Sequence, residues 1–206
     1  MSDYIKVLVA ILILAIILGF LAGCSSEAPP SMDGRVYNCD VKHLTLRTKI
    51  LVTKGDETIG EITGNVIRFI TDPLKMTKDG ETIAFADDDY NFINQDDHAI
   101  VVDGEYQFTM HGGFAIFGET YTLLDASNNQ IGYMSFNTFD TAGTLYNMDD
   151  EIIATYSSSP FFDDYTVTIY SDEFNDNALL LIFASYYSDQ DADSSSAHHS
   201  SSSSRH

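Results

Sequence analysis

The chain has 206 residues, 44% of them hydrophobic, and a formal net charge of −21 from 31 Asp and Glu against 10 Lys and Arg. That balance excludes nucleic acid as a partner, because phosphate neutralisation needs clustered cations, and it repels anionic lipid headgroups. The length past the first two dozen residues suffices for one domain with a sizeable core.

Met1 to Lys6 is short and polar, and Val7 to Phe20 holds only Val, Leu, Ala, Ile, Gly and Phe. An apolar run of this kind before small residues reads as a signal peptide. Leu21-Ala22-Gly23-Cys24 closes it and resembles the lipobox of bacterial lipoproteins. The resemblance implies removal of residues 1–23, a diacylglyceryl group on the Cys24 sulfur and a place on the extracytoplasmic face of the cell membrane. Two acyl chains give stable anchoring where one is marginal. The alternative is an uncleaved signal-anchor helix, since Val7 to Gly23 is at the short edge of what spans a bilayer. Residues 24–35, with Ser25, Ser26, Pro29 and Pro30, read as a tether stiffened by proline. With Cys24 lipidated, Cys39 has no intrachain partner, which excludes a disulfide and a thiolate metal site. Cys39 then reads as a small buried residue or, alternatively, as a reactive thiol.

The body, 36–188, is β-rich. His43 to Arg47, Ile50 to Val52, Thr58 to Ile70, Thr82 to Phe85, Ala99 to Val102, Tyr106 to Met110, Phe114 to Leu124, Gln130 to Phe136, Glu151 to Tyr156 and Tyr165 to Tyr170 read as strands. Turn residues separate many of them: Gly55-Asp56, Asp79-Gly80, Asp103-Gly104, Asn128-Asn129 and Asp149-Asp150. Ile59-Gly60, Ile83-Ala84, Ile131-Gly132 and Ile153-Ala154 follow such turns. Ile59 to Ile83 is 24 residues, Ile131 to Ile153 is 22 and the two pairs lie 72 apart (Ile59 to Ile131), which reads as duplication of a two-hairpin unit, each hairpin pointing Ile inward and packing its backbone closely at the small residue, or alternatively as coincidence between ordinary hairpins that share turn chemistry. Asn175-Asp176-Asn177 is a helix start, and Ala178 to Ala184 is apolar on every side. The expectation is a helix over 176–188 buried all round, with a central buried strand as the alternative. Residues 189–206, Asp-, Ser- and His-rich, read as a disordered tail.

Lys54 to Gly60, Lys78 to Ala84, the Asn128 to Gly132 turn and the apolar run Ala178 to Tyr187 together resemble the tubby-like barrels, and among them the LURP-one-related group akin to phospholipid scramblases. The resemblance covers about Val36 to Ser188. It implies a mainly β fold, a closed 12-stranded antiparallel barrel around a central hydrophobic C-terminal helix. Two departures limit what else carries over. Tubby proteins bind phosphoinositides through cations, yet from Asp79 to Ser204 there are 23 Asp and Glu and no Lys or Arg. Scramblases are linked to a membrane-inserted segment and to calcium, whereas the apolar leader here is at the opposite end of the chain from the apolar helix.

The candidate chemistry is sparse. Asp189, Asp191 and Asp193 match the first ligand positions of an EF-hand loop, but Ser194 and Ser200 stand where Gly and Glu are needed. Asp87-Asp88-Asp89 fails similarly at Phe92. His111-Gly112-Gly113 is similar to lipase oxyanion loops, yet lacks a Gly-x-Ser-x-Gly elbow, so the pair of glycines reads as a bend or bulge. His43 and His98 have no partner at metal-ligand spacing. Pro160-Phe161-Phe162 reads as an interaction loop or a membrane-dipping tip. No catalytic residue, resident metal or cofactor is assigned. The expectation is a non-enzymatic binding module held to the membrane by its lipid, its carboxylates serving solubility or drawing a basic protein or divalent cations. A scramblase-like lipid-handling protein is the alternative, and an enzyme the third reading.

Overall fold

The structure, a computed structural model, describes residues 33–44, 47–65, 73–88, 97–115, 118–137, 141–159 and 162–200. Side chains at 43–44, 47, 65, 88, 113–115, 118–119, 162–163 and 189–200 are not described. The leader, the lipobox with Cys24 and the tether up to Met32 lie outside the described residues.

Twelve strands run in chain order: β1 Arg35–Leu44, β2 Arg47–Lys54, β3 Glu57–Asn65, β4 Leu74–Lys78, β5 Glu81–Asp88, β6 Asp97–Val102, β7 Glu105–Ala115, β8 Gly118–Leu124, β9 Gln130–Phe136, β10 Ala142–Asn147, β11 Ile152–Ser159 and β12 Phe162–Ile169. Among the described residues one helix, α1, spans Asp176–Ser200. Each strand pairs antiparallel with the next, and β12 closes on β1, so the sheet is a closed barrel. Side chains alternate across the wall, as period-two pleating requires. Ile50, Val52, Ile62, Met76, Ile100, Met110, Leu123, Met134, Leu145 and Val167 are buried on the inner face. β4 and β10 are strands beyond those read from the sequence, only His43 and Leu44 of β1 fall in a run so read, and the run Phe114 to Leu124 is divided between β7 and β8. His111-Gly112-Gly113 is straight strand within β7, paired with Thr120 to Thr122, not a bend between strands.

Five connections, β2–β3, β4–β5, β6–β7, β8–β9 and β10–β11, gather at one end of the barrel, here the turn end. Asp79 and Gly80, and Asp103 and Gly104, take positive φ in consecutive pairs. That is the two-residue hairpin turn whose twist matches its strands. Close to each turn the second strand carries one extra residue. Thr58 and Gly60 face Thr53 and Val52, leaving Ile59 over. Ile83, Gln107, Ile131 and Ile153 are left over in the same way. These five bulges lie 24, 24, 24 and 22 residues apart.

This corrects two expectations. The repeat is one bulged hairpin used five times, not a two-hairpin duplication. The bulge residues Ile59, Ile83 and Ile131 are only half-buried, and the buried residue is the small one that follows, Gly60, Ala84 or Gly132, whereas the bulge residue Ile153 is buried as expected. The close approach at the small residue is present. A Cβ on Gly132 would lie 2.8 Å from the Tyr146 carbonyl oxygen, and one on Gly60 2.9 Å from that of Thr77.

The helix begins at the turn end. Asn175 caps it, its side-chain oxygen accepting from Asn177 N–H at 2.9 Å. Leu179, Leu180, Leu181, Ile182 and Phe183 are all 0% exposed. An α-helix buried on every face needs walls all round, and its partners come from round the barrel. α1 packs on β4, β5, β6 and β12. Phe183 stacks on Tyr156 of β11, and Tyr186 meets Tyr121 of β8 and Phe136 of β9. The helix continues to Ser200, so the tail expected to be disordered from Asp189 is helical over its first dozen residues. Once the buried turns are formed, adding further turns avoids the cost of nucleation.

Candidate functional site

The surface opens at the seam where the barrel closes. β1 and β12 pair from Arg35↔Ile169 to Cys39↔Tyr165. β1 then continues, still paired with β2, as far as Leu44↔Arg47. β12 carries a register shift against β11 at Ser158/Ser159. The bulge turns Asp164 toward β1, where its Oδ1 accepts from Val41 N–H at 3.1 Å. The result is a groove of about 420 Å³ lined by Asn38, Cys39 and Asp40, Ser157 to Ser159, and Asp164 to Thr166. That volume lies in the range of ligand sites. Its flanks are polar: Asp40 pairs with Lys42 at 3.2 Å, and the Ser and Thr hydroxyls supply donors and acceptors.

The floor of the groove is chemically quiet. Cys39 is 1% exposed, and burial pushes its thiol up to about 12, with a hydrogen bond to Tyr165 partly opposing. A thiol held protonated is a poor nucleophile, so Cys39 fits the buried reading. Burial likewise holds the Tyr165 phenol well above its ordinary value.

At the turn end, Arg35 joins β1 to the helix. Its Nε and Nη2 donate to the two carboxylate oxygens of Asp176, each at 2.8 Å, and Nη2 also reaches the Ser171 carbonyl at 2.8 Å. Its Nη1 lies 2.7 Å from Asp172. Tyr37 donates to Asp176 Oδ2 at 2.5 Å. Burial, then the hydrogen bond to Asp176, hold the Tyr37 phenol above its usual value. Asp176 also stands in the first helical turn, where a carboxylate suits the positive end of the helix dipole. This network is a latch on the helix start.

The residues singled out from sequence do not converge. His111 Nδ1 lies 2.5 Å from Asp97 Oδ1, a contact across β6 and β7 that spacing alone did not suggest. His98 is 3% exposed on the inner face. Asp87 is exposed at the end of β5. Asp189, Asp191 and Asp193 lie on the helix, not in a loop, and their side chains are outside the described residues, as are Asp89, Pro160, Phe161 and the Phe162 side chain. Among the described residues no group of three His, Cys, Asp or Glu is placed to hold a metal ion. The seam groove was missed from sequence. Its signal was the run Ser157-Ser158-Ser159 followed by Asp163-Asp164, polar residues where a barrel strand is otherwise β-branched. Compared with protein-family models, curated proteins and solved structures, the chain matches none.

Proposed function

We propose that this chain is an extracytoplasmic lipoprotein whose tubby-like, LURP-one-related barrel serves as a non-enzymatic binding module, held to the cell membrane by diacylglyceryl on Cys24. The observation that carries the reading is the filled interior. Leu179 to Phe183 are wholly buried, so the space that a barrel of this size offers a lipid is taken by the protein's own side chains. A barrel that carried lipid in its interior would need that space empty. Binding then belongs to the outer surface, which is acidic and carries the seam groove. The leader supports the address: an apolar run, small residues and a cysteine stand in the order that lipidation and cleavage require.

The test uses the full chain expressed in a bacterial host and extracted from its membranes. Mass spectrometry is expected to find a chain beginning at Cys24 with diacylglyceryl mass, and Cys24→Ala to retain residues 1–23 without lipid. An unmodified wild-type chain keeping its leader would overturn the anchor. The same preparation in vesicles is expected to leave fluorescent phospholipid in its original leaflet. Rapid exchange between leaflets would overturn the module in favour of lipid handling.

A further inference from the structure

We propose that the split seam between β1 and β12 receives an extended, cationic peptide segment of another protein, which adds as a strand to the free edge of β1. This rests on the reading of the chain as a binding module and names the class of its partner.

The backbone carries the argument. Past Cys39↔Tyr165, β1 stays paired with β2 on one side and, among the described residues, is paired with no strand on the other. An open edge is a template for a further strand. In an antiparallel ladder, N–H and C=O groups face alternate sides residue by residue. Arg35, Tyr37 and Cys39 face β12 in this alternation, so Val41 and His43 face the open seam. Val41 N–H is held there by a side chain, Asp164, in place of a strand carbonyl. The groove supplies room at this point, and Asn38, Ser157, Ser158 and Thr166 line it. These are short polar groups that can bond a guest backbone without filling its path.

Charge selects the guest. Asp40 and Asp164 flank the groove. Lys42, the cation paired with Asp40, has a side chain 55% exposed and is free to yield to a cation on the guest. The guest is not this chain. No Lys or Arg lies from Asp79 to Ser204, and apart from Lys6 and Arg68 the earlier ones lie in strands of the barrel itself. A second copy carrying −21 is repelled.

The experiment uses the full-length protein in neutral detergent and a fluorescent, end-blocked peptide of alternating Lys and Val. Comparators are the same peptide N-methylated at alternate residues and an alternating Glu-Val peptide. The Lys-Val peptide is expected to bind, with affinity falling as salt rises. N-methylation is expected to weaken it by about tenfold or more, as loss of backbone hydrogen bonds requires, and the Glu-Val peptide to remain unbound. Hydrogen exchange is expected to slow at His43 and its neighbours in β1. Asp164→Asn and Asp40→Asn are each expected to weaken binding. His43→Pro removes a seam-facing donor and spares the β2 ladder, so it is expected to abolish binding; if that variant fails to fold, the N-methylated peptide still decides.

Equal binding of the N-methylated peptide, protection confined to another surface, or no binding would each overturn the seam site. A lipidated chain that moves no lipid and ignores these peptides sinks this proposal while leaving the module reading standing. A chain without lipid on Cys24 that still binds at the seam does the reverse to the anchor.

Discussion

Burial pushes the Cys39 thiol from its ordinary value near 9 up to about 12, and a shift of that kind links folding to pH. Between those values the unfolded chain gives up the thiol proton and the folded chain keeps it. The folded state therefore binds more protons there, and stability falls as pH rises. Tyr37 and Tyr165 are displaced in the same direction. Stability is expected to be fully present below about pH 9 and to decline toward pH 12, read as the melting temperature across an alkaline series. Cys39→Ala should make that decline shallower; an unchanged slope would mean that the thiol is not protected in the fold. The Arg35–Asp176–Tyr37 latch is a second residue-scale case. Asp176→Ala strands a guanidinium and a phenol that are partly buried, and loss of hydrogen bonds to a charged group costs about 1.5–3 kcal/mol. A urea midpoint lower by that equivalent, with slope unchanged, is the expected result.

At the scale of elements, the five bulged hairpins explain what was readable in the chain and what was not. The turns were plain, because Gly55, Asp79-Gly80 and Asp103-Gly104 are residues that tolerate positive φ. The beat of Ile followed by Gly or Ala was also visible, but its meaning was not. The third member is Gln107-Phe108, which keeps the bulge while changing both letters, so the 24 residues from Ile59 to Ile83 and the 22 from Ile131 to Ile153 read as two separate pairs 72 apart rather than as one period. β4 and β10 were missed for a related reason. Leu74 to Lys78 is only five residues long, and Ala142-Gly143 opens β10 with residues that strands seldom use. The split seam was illegible because it depends on which strand fails to pair, and that is decided across 123 residues between Val41 and Asp164. The bulge has a direct test. Deleting Ile131 removes the extra residue of β9, so the turn and the strand fall out of phase by one, which reverses the face of every side chain beyond it. This deletion is expected to destabilise more than Met134→Ala on the same strand, itself worth about 2–5 kcal/mol. Equal or smaller loss in chemical denaturation would show that the bulge is dispensable.

At the scale of the molecule, barrel and helix depend on each other. The inner wall presents apolar residues that no neighbouring sheet covers, and the helix has no polar face to turn outward. Each lone element would put into water side chains whose burial is worth roughly 1.5–3 kcal/mol apiece. The inner face would have to collapse or take up another apolar body. A chain ending at Phe174 keeps all twelve strands, every hairpin turn and all five bulges, and loses the filling alone. It also loses Asp176, so Arg35 and Tyr37 at the start of β1 have no partner where the seam is closed by only five residue pairs. The truncated chain is therefore expected to open first at β1 and β12. It should bind the dye ANS, lose near-ultraviolet dichroism while keeping strand signal, and aggregate through the released edges. Adding a synthetic peptide spanning 175–200 during refolding should restore the near-ultraviolet signal, because the helix forms only where the wall surrounds it. A truncated barrel that melts cooperatively near the intact protein's temperature, without dye binding, would mean that the wall stands by itself and that its interior is a cavity the helix merely occupies.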